Sequence, residues 1–295
     1  MTFFPESELI LNSDGSIYHL GLLPGQIADT IITVGDPDRV EMVTKHFDSI
    51  EVKKSVREFV THTGYYKSKR LTVISTGIGT DNIDIVLNEL DALVNIDFES
   101  RTEKPIKTSL NIIRIGTSGA LHKDLGIDRV LASTHGIDLG PLQHFYPSQE
   151  IDAQETLIKQ ALDNIFNSLD LGHIPTAVNS GDKWLLERIA SKYLKGVTLT
   201  APGFYGPQGR SLRGQTKLTE SFFDQIAAVD INGTRITNFE METAGIYSLA
   251  KLLGHKALSI NLLLANRQSK DFSQKANEGM ANLIEEVLDC IEKEL

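Results

Sequence analysis

The chain has 295 residues, 41% apolar and 23% charged, with a formal net charge of −10. A chain of this length can bury a full core, as one large α/β domain or two small ones. The acidic balance argues against nucleic acid or an anionic membrane as a partner, though a few clustered arginines could still hold a small anion.

In chain order, the first residues read as an irregular arm (1–16), closing on Tyr18-His19-Leu20-Gly21-Leu22. Neither a basic-then-apolar leader nor a membrane-length apolar run is seen, so a cytoplasmic location is expected. Ile31-Ile32-Thr33-Val34 is a short β-branched run of the kind found in buried strands. It leads into Gly35-Asp36-Pro37-Asp38-Arg39-Val40, where Asp36 suits an N-cap and Pro37 the first helical position. Such a strand–turn–helix points amide groups outward and forms an anion site. Residues 53–66 read as a long strand or hairpin carrying Arg57-Glu58-Phe59. Another strand, 71–75, ends in a Gly-rich turn, and Asp81 is placed to cap a helix with Ile83, Val86, Leu87, Leu90, Leu93 and Val94 on one face.

The polar stretch 99–107 reads as a loop, 111–115 as a strand, and Gly116-Thr117-Ser118-Gly119-Ala120 as its turn. A strand over 129–134, helices over 153–169 and 182–194, and a strand over 175–180 follow. Residues 183–203 look like an insert, and 200–210 is a loop too rich in Gly and Pro for regular structure. The remaining elements are a strand over 257–264 and a last helix packing through Met280, Leu283, Ile284, Val287, Leu288 and Ile291. That helix also carries the only cysteine, Cys290, read as a small core hydrophobe of a protein in a reducing compartment. The alternation predicts an α/β fold: one domain over 1–295, with a central mixed, largely parallel sheet flanked by helices and ligands bound beyond the carboxyl ends of its strands.

The most chemically loaded stretch is Asn238-Phe239-Glu240-Met241-Glu242-Thr243-Ala244-Gly245. In an extended backbone Glu240 and Glu242 face the same side, an arrangement suited to gripping a vicinal diol. The competing reading is a solvated first helical turn, where acids are common because of the dipole.

Taken together, the segments around His19, Gly35–Val40, Arg57–Phe59, Ser75–Gly79, Arg114–Ala120, Phe204–Arg210, Phe239–Glu242 and Asn266-Arg267 resemble the nucleoside phosphorylases, and among them most closely those acting on uridine. They occur in that family's order from about residue 16 to the end. The resemblance implies reversible phosphorolysis, with inorganic phosphate as co-substrate, no organic cofactor and no catalytic metal. It implies phosphate ligands at Gly35, Arg39, Arg57, Arg114 and Thr117, and ribose contacts from His19, Met241 and Glu242. Phe204, Gln208 and Arg210 fall at the base-recognition positions, and Arg114, Glu242 and Arg210 carry the catalysis. Arg57 and His19 act across a subunit boundary in relatives, so a homo-oligomer is expected: at least a dimer, with a hexamer known in bacterial relatives.

The residue chemistry agrees with those roles. Arginine's planar fork matches tetrahedral oxygens and stays charged. Glutamine offers a donor and an acceptor to the N3–H and carbonyl edge of uracil. Purine-specific relatives carry an aspartate where this chain has Asn266, which favours a pyrimidine. Some relatives bind a potassium ion beside the Glu58 position; Asn82, standing where they have serine, argues against it here. The rival activities are purine phosphorolysis, and hydrolysis by a nucleosidase, which needs no three phosphate arginines. A non-catalytic nucleoside-binding paralogue is the rival of another class.

Overall fold

In the computed structural model, which describes residues 2–295, the apolar run Thr30–Val34 is β1 and is buried throughout. Asp36 caps α1 (Pro37–Thr44) by accepting from the Asp38 amide. The segment around Arg57 is a hairpin of β2 (Ser49–Val56) and β3 (Phe59–Tyr66), with Arg57 at its tip in the left-handed region, φ 55°. β4 (Lys69–Ser75) and α2 (Thr80–Asn95) follow. Gly79, not Asp81, holds the N-cap of α2; Asp81 lies inside the first turn, where its charge still suits the dipole. The stretch read as a loop at 99–107 includes half of a small ladder, β5 (Ile96–Asp97) with β6 (Thr102–Glu103), and Phe3 of the arm bridges onto Thr102.

The turn expected at 116–120 is strand: β7 runs unbroken from Asn111 to Ala120. Its glycines imitate a turn for another reason. A Cβ at Gly116 would stand 1.9 Å from Arg114 Nη1, so the missing side chain makes room for the guanidinium beside its own strand. β8 (Val130–Asp138), α3 (Ala153–Ser168) and β9 (Ala177–Ser180) come next.

The helix expected to 194 stops early, as α4 (Lys183–Ile189), and Leu194–Thr200 is β10. The supposed insert therefore contains an interior strand. Its last five residues are all buried, so it lacks the alternation that marks a half-exposed strand. α5 (Glu220–Ala227) and β11 (Asp230–Ile231) lie in a stretch the sequence left unassigned. β12 (Thr234–Glu240), α6 (Thr243–Leu253), β13 (Lys256–Asn266) and α7 (Ala276–Glu294) complete the chain.

The sheet is mixed, as expected, but not largely parallel, with the order β11-β12-β10-β8-β13-β7-β1-β4-β3-β2. Parallel pairs join β10 to β12 and β8, and β7 to β13 and β1. Antiparallel pairs join β8 to β13 and β12 to β7. The last of these closes β12, β10, β8, β13 and β7 into a ring, which removes exposed edges from that half. Apolar clusters lie under α1, α4 and α7, under the arm, α2 and α6, and under α3 and α5. The arm is irregular yet anchored, since Leu9, Ile17, Leu20 and Leu22 are buried. Cys290 packs at the edge of the first cluster. Among the described residues no helix is long and apolar enough to cross a membrane.

Candidate active site

The carboxyl ends of β1, β4, β7, β12 and β13 converge on one cavity of about 820 Å³, walled by Gly35, Arg39, Arg114, Thr117, Gln208 and Glu242 among others. Its centre is an ion cluster at the junction of β12 and α6. Glu242 Oε2 accepts from Arg114 Nη2 at 2.6 Å, and its Oε1 accepts from the Gly79 amide at 2.9 Å. Glu240, the last residue of β12, turns to the same side, with Oε2 3.4 Å from the same Arg114 nitrogen. Its other contacts are structural. Oε2 accepts from the Glu242 and Thr243 amides and so caps α6, while Oε1 accepts from Thr200 Oγ1 at 2.6 Å. Of the two carboxylates, Glu242 accepts fewer hydrogen bonds from the protein.

Burial pushes the Glu242 carboxyl upward, with Arg114 opposing and Glu240 reinforcing the shift. Burial acts on Arg114 in the opposite sense, yet Glu240 and Glu242 overcome it and hold the guanidinium above its ordinary range. Arg114 also donates to Asn261 Oδ1 at 2.7 Å. Its charge is therefore committed to the protein, and it stands in the cavity wall without being a free cation.

Arg39 supplies the uncommitted cation. Its side chain makes no hydrogen bond or ion pair among the described residues and faces the cavity from the first turn of α1. Burial and then Arg114 lower its pKa, while Asp36 and Glu242 oppose. Gly35 and Thr117 stand beside it on the cavity wall. An anion here would meet a guanidinium, a hydroxyl and the start of a helix.

Another part of the wall comes from residues 204–210, with a single 3-10 turn at Gly206–Gln208. Gln208 is buried and its Oε1 accepts from Arg210 Nη1 at 2.6 Å. The same nitrogen donates to the Phe204 carbonyl, and the Arg210 guanidinium stacks 3.8 Å from the Phe204 ring centroid. Arg267 donates to the Gln208 carbonyl from behind and lies over Phe223. Burial, then Arg210, pushes its pKa down to about 10. Gly209 has φ 68°, and a Cβ there would meet Phe223 at 2.4 Å, so only glycine turns the loop here. Asn266 points away from the cavity. Its amide donates to the His122 and Leu125 carbonyls, and its oxygen accepts from the Gln268 and Ser269 amides.

Of the residues singled out from sequence, Gly35, Arg39, Arg114, Thr117, Phe204, Gln208, Arg210, Met241 and Glu242 share this cavity. Arg57 and His19 are not among its walls. Arg57 sits exposed at the hairpin tip, next to Glu58, which does face in. His19 lies in a separate cavity of about 720 Å³ between the arm and α2, with Nδ1 2.6 Å from Glu89 Oε1. Ile78, Asn82, Ser118, Leu264 and Phe272 also line the active cavity. Ser118 sat inside a quoted motif; Phe272, which bridges back onto Ala265, carried no signal short of the fold. Among the described residues no cluster of three His, Cys, Asp or Glu side chains could hold a metal ion.

The family model of the Phosphorylase superfamily matches residues 29–292, and the chain belongs to that superfamily. Two curated relatives act on different bases by name. The uridine phosphorylase of Thermococcus kodakarensis is 29% identical over 281 residues, covering 95% of this chain and 88% of that one. The DeoD-type purine nucleoside phosphorylase of Bacillus subtilis is 28% identical over 244 residues, covering 82% and 84%. A solved Trypanosoma brucei nucleoside phosphorylase, described as showing uridine phosphorylase activity, superposes with a TM-score of 0.88 at 26% identity, over 97% of this chain and all of that one. The chain is accordingly a nucleoside phosphorylase, a pentosyltransferase.

Proposed function

We infer that this enzyme catalyses the reversible phosphorolysis of a pyrimidine nucleoside: uridine and phosphate give uracil and ribose 1-phosphate. The observation that supports this best is the buried Gln208 hydrogen-bonded to Arg210, lining the same cavity as Arg39 and Glu242. Phosphate held by Arg39, Thr117 and the Gly35 turn faces one side of the sugar, and the base faces the other. A phosphate oxygen bonds to C1′ as the C1′–N1 bond breaks. The electron pair leaves with the base, and its charge spreads onto the carbonyl oxygens, where Arg210 can receive it. Glu242, close to the cationic sugar, accepts from its hydroxyls while Arg114 keeps that carboxylate oriented. The base takes a proton from solvent after release.

Asn266 supports the pyrimidine reading. With its amide spent on two carbonyls and its oxygen on two amides, it offers no acid to a purine N7. The reading also carries a homo-oligomer of at least two copies, in which Arg57 and His19 would complete a neighbour's phosphate and sugar contacts. Incubation with uridine or inosine, each with and without phosphate, tests it. Uracil release that requires phosphate is expected. Release without phosphate would mean a nucleosidase, and turnover of inosine alone would overturn the base assignment.

A further inference from the structure

β13 is a central strand, and in its mostly apolar run Ala257-Leu258-Ser259-Ile260-Asn261-Leu262-Leu263 the amide of Asn261 is completely buried. An unpaired amide there would be costly. Asn261 stands opposite Gly116 in the β7–β13 register, the position that the Arg114 guanidinium fills by folding back along its own strand. Its Oδ1 accepts from Arg114 Nη1 at 2.7 Å. Its Nδ2 lies 3.2 Å from the hydroxyls of both Ser133, on β8, and Ser259. Tyr247, from α6, ties those two serines together: its hydroxyl donates to the Ser133 carbonyl at 2.6 Å and accepts from the Ser259 amide at 2.9 Å. Asn261, Ser133, Ser259 and Tyr247 are each at most 1% exposed.

These partners allow the amide one orientation. Guanidinium has donors only, so the Asn261 oxygen must face Arg114 and its nitrogen the two serines. The guanidinium is thereby gripped at both ends, Nη1 by Asn261 and Nη2 by Glu242 at 2.6 Å. A neutral acceptor suits this place for an electrostatic reason. Glu240 and Glu242 already set two carboxylates against one guanidinium, and an aspartate at 261 would bury a third. An apolar residue would leave Nη1 without its bond. The guanidinium would then be free to turn both Nη groups onto Glu242, the fork geometry that arginine and carboxylate favour, and to engage the oxygen that now accepts from the Gly79 amide.

Asn261 is not part of the cavity wall, whereas Arg114 and Glu242 are, so it acts on a ligand only through them. We propose that Asn261 is a positioning residue of the reaction: it fixes the Arg114 guanidinium, and through it the Glu242 carboxylate that accepts from the sugar hydroxyls. The inference rests on the phosphorolysis reading for the identity of the sugar, and on the ion cluster alone for the positioning.

Two measurements test it, one of them independent of turnover. In a crystal structure of Asn261→Leu, which keeps the branched shape without the acceptor, the guanidinium should leave its place beside Gly116 and turn toward Glu242. In kinetics the same variant should lose about tenfold in kcat/KM for uridine, the lower end for a hydrogen bond to a charged group. For 2′-deoxyuridine, which offers Glu242 one hydroxyl fewer, the loss should be only about twofold. Asn261→Asp keeps the acceptor, so it should lose stability but hold the native preference for uridine. A merely structural asparagine would move stability in both variants and the preference in neither. Ser133→Ala removes one prop behind the amide and carries the test if Asn261→Leu does not fold; it should cost about two- to threefold for uridine and spare 2′-deoxyuridine. An unmoved guanidinium, or equal losses for the two substrates, would overturn the proposal. A turned guanidinium in a protein whose native form releases no uracil would sink phosphorolysis and leave the positioning standing; native phosphorolysis with an unmoved guanidinium would do the reverse.

Discussion

The wall of the cavity made by β7, β12 and α6 settles its charges within the protein, whereas the wall made by residues 204–210 hangs on two arginines and a glycine. In the first, Arg114, Glu240 and Glu242 are almost fully buried and held on several sides. In the second, Phe204 and Tyr205 are about half exposed, at 51% and 54%, and only Gln208 is buried. The difference maps onto the reaction. On the proposed reading, gripping phosphate and sugar is common to every nucleoside phosphorolysis, and Arg114, Thr117 and Glu242 would do so from or beside the closed ring, joined by Arg39 from α1. The base named differs among relatives, and on the proposed reading choosing it would fall to a segment that can change without disturbing the sheet.

Breaking the rigid wall should cost the fold before it costs specificity. Arg114→Met leaves two neighbouring carboxylates buried without their cation, and should destabilise the protein by about 3–5 kcal/mol in denaturant unfolding. A loss below about 1 kcal/mol would show that water reaches these carboxylates, and the contrast between the walls would fail. Arg210→Ala should behave oppositely. With its guanidinium half-buried on a loop, stability should shift by no more than about 0.5 kcal/mol. Uridine kcat/KM, however, should fall by about 2–4 kcal/mol of barrier, the scale of one lost charge-stabilising donor. Similar turnover in the variant and the native enzyme would place Arg210 outside the reacting geometry.

The ring of strands behind the rigid wall should also feel pH in a way the loop does not. Asp138, at the end of β8, is buried with its Oδ2 unpartnered; Oδ1 accepts from the Gly140 amide. Burial, reinforced by Glu240, pushes its carboxyl up to about 6 from an ordinary 3.8. A raised carboxyl favours the folded state while protonated, so its contribution is complete below about pH 4 and is lost as pH rises through 6. Native stability should therefore drop by about 2–3 kcal/mol relative to Asp138→Asn across that window. Parallel stability–pH curves for the two proteins would mean that Asp138 is solvated.

How much of this was legible beforehand follows from the same physics. Glu240 and Glu242 do face the same side, as an extended reading predicted, although Glu242 lies just past β12 at the N-cap of α6; the Asp36-Pro37 helix start follows from cap chemistry. β10 was hidden because a strand buried on both faces carries no alternation, and so it read as an insert. Gly116 misled for an instructive reason: it is there to admit the Arg114 side chain, which a linear reading confuses with a turn. The buried hydrogen bonds that run from Arg114 through Asn261, Ser133 and Thr198 to Asn238 were out of reach, because these side chains lie on five strands and meet only once the register is set.

The mildest perturbation sharpens the comparison most. Arg267 does not line the cavity, yet it donates to the Gln208 carbonyl and lies over Phe223, with its centre 4.0 Å from the ring centroid. If the second wall is a loop held in place from behind, Arg267→Met keeps much of the packing and removes the bond to the Gln208 backbone. The Gln208 side chain should then sample orientations that miss the base. KM for uridine should rise about five- to tenfold, the worth of roughly 1 kcal/mol, while KM for phosphate and kcat stay near native values. A matching rise for phosphate would mean that the two walls move together, and that the loop is as much a part of the ring as Glu242 is.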